Sequence, residues 1–205
     1  MSSLWRLARP AAVLAVLAVL TTTSFAQNKD GSAEIGLSYS YIRFDEQSEI
    51  DDRIVPTAMV GYNFTKRHGG EIVFSSSTAT PERGPSFPVD VDILRVGYTF
   101  NAYPKQRAVS FFRIGTGVYV VNPAEHPQAS SRLDHSETKW MLYTGGGIKF
   151  FFNESLALRF SLTADLADAG AGAAHPDVHA AGEIGLVVVI GGREPEEKPA
   201  EEPVP

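Results

Sequence analysis

Eight ionisable side chains recur on the small, polar side of alternating segments: Glu34, Glu71, Arg95, Arg113, Lys149, Arg159, Asp165 and Glu183. Four are acids and four are bases, so the set is formally neutral. Brought into one interior, they predict a network of ion pairs, because an unpaired buried charge is costly. Such a network has two uses. It can plug an interior and fix the register of the strands that carry it, or it can gate a narrow path for water or ions by exchanging partners. An interior narrow enough to be filled by side chains favours the plug.

The histidines are the other candidates for chemistry. His126, His135, His175 and His179 fall in expected long loops, and His68 in an expected short turn. His175-Pro-Asp177-Val-His179 offers donors two and four residues apart, but without a structured partner it reads as a solvated loop and no metal site is predicted. His135-Ser136-Glu137 has the residue types of a nucleophilic site. Consecutive residues on a strand alternate faces, however, so the three cannot converge. Gly145-Gly146-Gly147 lacks the following lysine–serine pair and helix of a phosphate loop. There is no cysteine, which excludes disulfides, a thiol nucleophile and cysteine-ligated metal. No catalytic residue and no cofactor is expected.

The elements that must position the charges are strands. Period-two alternation runs through residues 33–43, 54–64, 70–78, 90–100, 108–121, 138–152, 155–167 and 180–191, joined by alternately long and short connections. Ile35, Leu37, Tyr39 and Tyr41 share one face of the first, and Glu34, Gly36, Ser38 and Ser40 the other. Ala58, Val60, Tyr62 and Phe64 oppose Thr57, Met59, Gly61 and Asn63 in the second. The same contrast sets Phe112 and Ile114 against Arg113 and Gly115, and Leu158 and Phe160 against Arg159 and Ser161. A tilted strand needs about 9–11 residues to cross a bilayer. The pattern therefore predicts an all-β fold, an eight-stranded antiparallel up-and-down barrel with its apolar face toward lipid. Phe64, Phe100 and the run Phe150 to Phe152 all precede short turns and are expected to form a periplasmic aromatic girdle. The third strand weakens after Phe74, and the fourth slips phase near Asp92 and Ile93, which suggests a bulge or an early exit from the membrane.

Residues 1–26 read as a secretory signal peptide: Arg6 and Arg9, an apolar run from Ala11 to Leu20, and a small-x-small site at Ser24-Phe25-Ala26. Cleavage after Ala26 leaves residues 27–192 as the barrel and 193–205, with five glutamates and four prolines, as an extended periplasmic tail. The whole chain has 18 basic and 24 acidic residues. Removing Arg6 and Arg9 leaves 16 against 24, a formal charge of −8, which argues against nucleic acid as a partner.

The stretch Thr144 to Arg159, reading Thr-Gly-Gly-Gly-Ile-Lys-Phe-Phe-Phe-Asn-Glu-Ser-Leu-Ala-Leu-Arg, resembles the sixth strand, tight turn and seventh strand of the OmpA-like eight-stranded outer-membrane barrel superfamily. Phe111-Phe112-Arg113-Ile114-Gly115-Thr116-Gly117 is similar to its fifth strand. The resemblance implies an integral protein of the cell outer membrane, with outer-membrane lipid around it and the barrel assembly machinery as a partner in biogenesis. The closing pattern Glu183-x-Gly185-x-x-Val188-x-Ile190 is similar to that machinery's signal, but ends on an aliphatic residue. Members that clamp peptidoglycan use a separate C-terminal domain, which does not follow here. The expected role is structural or surface-interaction work, with no enzymatic activity. The alternatives are a narrow, gated, low-conductance pore and, because some barrels of this size modify lipid A, a lipid-modifying enzyme. Any extracellular ligand of the loops is left open.

Overall fold

The computed structural model describes residues 28–45, 50–79, 88–123, 136–168 and 176–193. The signal segment, most of the tail, and His126, His135 and His175 lie outside the described residues.

Eight strands follow one another: β1 (Asp30–Arg43), β2 (Arg53–Asn63), β3 (His68–Ala79), β4 (Val89–Ala102), β5 (Ala108–Pro123), β6 (Glu137–Phe151), β7 (Leu156–Ala167) and β8 (Asp177–Arg193). Each pairs antiparallel with the next, and β1 closes on β8 with Leu37 opposite Leu186, so the sheet is a closed barrel. Closure removes the unpaired edges that a flat sheet would leave, which suits a wall with no water beside it. The short connections, residues 64–67, 103–107 and 152–155, lie at the end that carries residues 28 and 193, here the turn end. The longer connections lie at the opposite, loop end.

Alternation places apolar side chains outward through the middle of the wall. Leu37 is 71% exposed, Leu142 64% and Leu162 73%. A soluble protein of this size would not leave such a continuous apolar belt in water. Among the inward residues that alternate with this belt, Arg95, Arg113, Lys149 and Arg159 are at most 4% exposed.

Two expectations are corrected. The fourth strand has no bulge: its pairing runs without a break from Val89 to Ala102 against β5, with Asp92 opposite Val120 and Ile93 opposite Tyr119. What changes near Asp92 is polarity rather than phase. Val89, Val91 and Ile93 point inward, and with Ile42, Val55, Tyr119 and Val121 they form an apolar cluster inside the loop end. Asp90 and Thr78 stand exposed on the outside at this level. The second correction concerns the phenylalanine run. Phe151 points inward and is fully buried among Val109, Ala157 and Val189, because alternation leaves only its neighbours outward. Phe64 and Phe150 are exposed at the turn end, with Phe100 and Phe152 half-buried beside them.

The seam between β2 and β3 is the shortest, running from Thr57 to Asn63 on β2. Pro56, which has no N–H to give a ladder, stands just beyond the point where that pairing ends. Past it, the Arg53 guanidinium reaches the Thr78 carbonyl across the parted strands.

Candidate functional site

The eight charges lie on the inward face of seven of the eight strands, β2 excepted, and form pairs stacked along the barrel axis. Nearest the turn end, Lys149 on β6 donates from Nζ to both oxygens of Glu34 on β1, at 2.6 and 2.9 Å. Asn63 on β2 adds a third donor to Glu34 at 2.8 Å. Above this pair, Glu71 on β3 takes Arg159 Nη2 at 2.8 Å and Arg113 Nη1 at 3.2 Å. Arg113 Nη2 also reaches Glu183 on β8 at 3.2 Å and Ser161 Oγ at 3.0 Å, and contacts Thr163 Oγ1. Glu183 is satisfied further by Ser38 at 2.8 Å and Ser161 at 2.9 Å. Nearest the loop end, Arg95 on β4 grips Asp165 on β7 with two bonds, Nε at 3.0 Å and Nη2 at 2.5 Å.

Two-pronged Arg–carboxylate contacts of this kind are strong and directional, so they fix which strands face each other across the lumen. Bases come from β4–β7 and acids from β1, β3, β7 and β8, so most pairs are transverse struts. In a dry interior such a set stabilises only if each member is satisfied. Three atoms keep spare capacity: Arg113 Nε, Arg159 Nε and the Tyr143 hydroxyl have no partner among the described residues.

The network has residues that the sequence reading did not single out. Phe111 lies inside with the Arg159 guanidinium 4.4 Å and Lys149 Nζ 5.7 Å from its ring centroid, so an aromatic face shields two cations. Met59 sits against Arg159 Nη1. Tyr143 reaches across from β6 over Gly97 and Gly115, where any Cβ would collide with its ring. Ser40, Thr57 and Ser75 join in a hydroxyl ladder at 2.9 and 2.8 Å. The only sequence signal for most of these is their inward phase.

Both ends of the lumen are stoppered. At the turn end, Phe151, Val109, Ala157 and Val189 close beneath Lys149, together with the buried amides of Asn28, Asn63 and Asn101. At the loop end, Phe44 and Ile50 of the first long connection fold into the mouth and join the apolar cluster. There the sequence expectation for His179 fails. β8 begins at Asp177, not at residue 180, so His179 is an inward strand residue only 2% exposed. Its ring packs on Phe44 and Tyr119, with centroids 5.5 and 5.3 Å away, and Nδ1 accepts the Asp45 N–H at 3.0 Å. Asp177, inward on the same face two residues earlier, is held by Lys139 at 3.0 Å. The His-Pro-Asp composition looks like a loop, yet Val178 outward and Asp177 and His179 inward continue the period-two rule.

The remaining candidates among the described residues are engaged elsewhere. Ser136 Oγ donates to Asn122 at 2.5 Å, and Glu137 is engaged by Lys139 at 3.4 Å. His68 is exposed at the turn end and contacts the Tyr98 hydroxyl. Among the described residues no group of three His, Cys, Asp or Glu is placed to hold a metal ion.

The family model described as "Outer membrane protein beta-barrel domain" matches residues 12–187. No curated protein matches the chain. Among solved structures, the outer membrane protein OprG from Pseudomonas aeruginosa is similar with a TM-score of 0.59 at 12% identity, covering 81% of this chain and 99% of that one. The N-terminal β-barrel domain of OprF from the same organism gives 0.53 at 12% identity, covering 79% and 99%. The attachment invasion locus protein Ail of Yersinia pestis gives 0.54 at 15% identity, covering 78% and 99%. At such identities the likeness is one of fold alone.

Proposed function

The chain belongs to the outer membrane protein beta-barrel domain family, and from that premise we propose that it is a non-enzymatic barrel with a closed lumen, whose long loops carry a structural or surface-interaction role. The outer membrane is the location the family implies, with cleavage after Ala26 on the way. The turn end then faces the periplasm and the loop end the outside.

The observation that carries this reading is the filled lumen. Each of the eight interior charges has an opposite partner, from Arg95–Asp165 at 2.5 Å to Arg113–Glu183 at 3.2 Å. Phe151 below and Phe44 above stand in the way of a continuous aqueous path. A permeant ion would have to displace paired charges in a low-dielectric space, which costs more than a resting pore tolerates. With the lumen occupied, the long connections are the part left to meet a partner, since surface proteins place recognition on loops.

A second reading, the narrow gated pore, is favoured by one feature. Arg113 Nε, Arg159 Nε and the Tyr143 hydroxyl are unpartnered polar atoms grouped around Glu71, as a lumen that exchanges partners requires. Single-channel recording in planar bilayers separates the two, with gel mobility checking that the protein is folded. The closed-lumen reading expects inserted wild type and Arg113→Ala to stay silent. Reproducible conductance steps altered by Arg113→Ala would replace it with the pore.

A further inference from the structure

The formal charge of the two ends is strongly unequal. At the loop end the described residues include Asp45, Asp51, Asp52, Asp90, Asp92, Glu137, Asp168 and Asp177, against the bases Arg43, Arg53 and Lys139. At the turn end the balance reverses, although Asp30 lies there too and accepts the Lys66 N–H. Lys66 and Arg67 occupy the β2–β3 turn, and Lys105 and Arg107 the β4–β5 turn. Arg67, Lys105 and Arg107 are exposed and Lys66 is half-buried. Among the described residues none of the four forms an ion pair. The third short turn carries Glu154 instead, and that acid is taken by Lys29 at 2.7 Å.

The four cations form one surface because the two turns are tied together. The Asn28 N–H donates to the Pro104 carbonyl at 3.1 Å, and its side-chain amide to the Lys66 carbonyl at 3.4 Å. The Asn101 N–H donates to the Arg67 carbonyl at 2.7 Å. The patch also sits at a defined height. The Arg107 guanidinium lies 5.9 Å from the centroid of the outward Phe150 ring, and Phe64 precedes Lys66 by two residues. Tyr103, 69% exposed and held at a φ of 52°, stands beside Lys105 in the same turn. Aromatic rings mark the level where hydrocarbon gives way to headgroups, so cations just beyond them meet phosphates.

We propose that the face formed by the β2–β3 and β4–β5 turns binds the phosphate headgroups of anionic phospholipid in the leaflet at the turn end. The patch covers one side of the barrel and leaves the β6–β7 side without cations of its own turn. It therefore gathers acidic lipid along part of the circumference rather than as a uniform ring. Cations at a membrane surface attract acidic lipid, and salt screens that attraction. This proposal rests on the membrane reading above.

The test places full-length mature protein in bilayer nanodiscs containing equal phosphatidylglycerol and phosphatidylcholine, then measures by native mass spectrometry which lipid stays bound. Wild type should retain phosphatidylglycerol preferentially at low salt, with the preference shrinking as salt rises. Lys66→Gln/Arg67→Gln/Lys105→Gln/Arg107→Gln should lower that preference by about tenfold or more, and Arg43→Gln at the other end should keep it. If the fourfold variant fails to fold, Lys105→Gln/Arg107→Gln should still lower the preference partway. Equal retention of both lipids by inserted wild type overturns the proposal, as does an equal loss in Arg43→Gln. A preference that emerges only when the chain is cut after Arg193 makes the glutamate-rich tail the patch's partner, and also overturns it. Failure of folded wild type to enter the bilayer would count against the membrane reading itself.

Discussion

At mid-height on β4, Leu94 and Val96 face outward while Arg95 points into the lumen. A few residues toward the loop end of the same strand, Asp90 faces outward while Val89, Val91 and Ile93 point in. The strand does not slip between the two levels, since its pairing with β3 and β5 is continuous. What changes is the medium beyond the wall. Where lipid is outside, apolar side chains face it and the interior must hold whatever is polar, which here means paired charges. Where water is outside, the barrel becomes an ordinary protein with polar residues out and an apolar core in. The point on β3 and β4 at which the two faces exchange character therefore marks the upper limit of the membrane.

If that comparison holds, the two levels respond differently to the same kinds of change. The largest effect is expected at Glu71, which holds both Arg113 and Arg159. Glu71→Ala leaves the buried Arg159 without its carboxylate and Arg113 with Glu183 alone, and should cost about 3–5 kcal/mol, read as urea-induced unfolding of the inserted barrel. A loss within experimental error would mean that the ion pairs are not what holds the middle together. Next comes the outward face at mid-height: Leu162→Arg should cost about 2–4 kcal/mol in vesicles, checked by the same unfolding curve. Gly97→Ala is expected to cost about 1–3 kcal/mol by overpacking. Its new Cβ would lie 2.7 Å from Tyr143 Cζ and 2.7 Å from the Ile114 carbonyl oxygen. Tyr143→Ala in the same chain should recover part of the loss, a coupling that a double-mutant cycle measures. The smallest effect belongs to the outward face at the loop end. Thr78→Arg, beside Asp90 at 2.9 Å, should change stability by about 0–1 kcal/mol. A cost there equal to that at Leu162 would erase the distinction between the levels.

The alternation made the strands and the inward phase of all eight charges readable, because a barrel wall enforces period two with little competition from other signals. The pairings were not readable. Lys149 and Glu34 are separated by 115 residues, and which strands face each other across a lumen depends on tilt and stagger, which no local pattern encodes. Phe111 and Phe151 were missed as interior groups because a phenylalanine in a membrane strand looks like a lipid-facing one until its phase is counted. His179 was misplaced for the opposite reason: polar inward residues near a strand end resemble a loop. The apparent phase slip at Asp92 had two readings, a bulge or an early exit from the membrane; the unbroken pairing removes the bulge and leaves the change of medium.

The short β2–β3 seam has a mechanical consequence. A cylinder under load parts where its rungs are fewest, and here that is the stretch beyond Thr57, where Pro56 interrupts the lattice and the Arg53–Thr78 contact acts as a clasp. Backbone amides flanking that stretch should be the first in the wall to trade hydrogen for deuterium. Any unzipping of the wall would begin there, at the loop end, and travel toward Asn63.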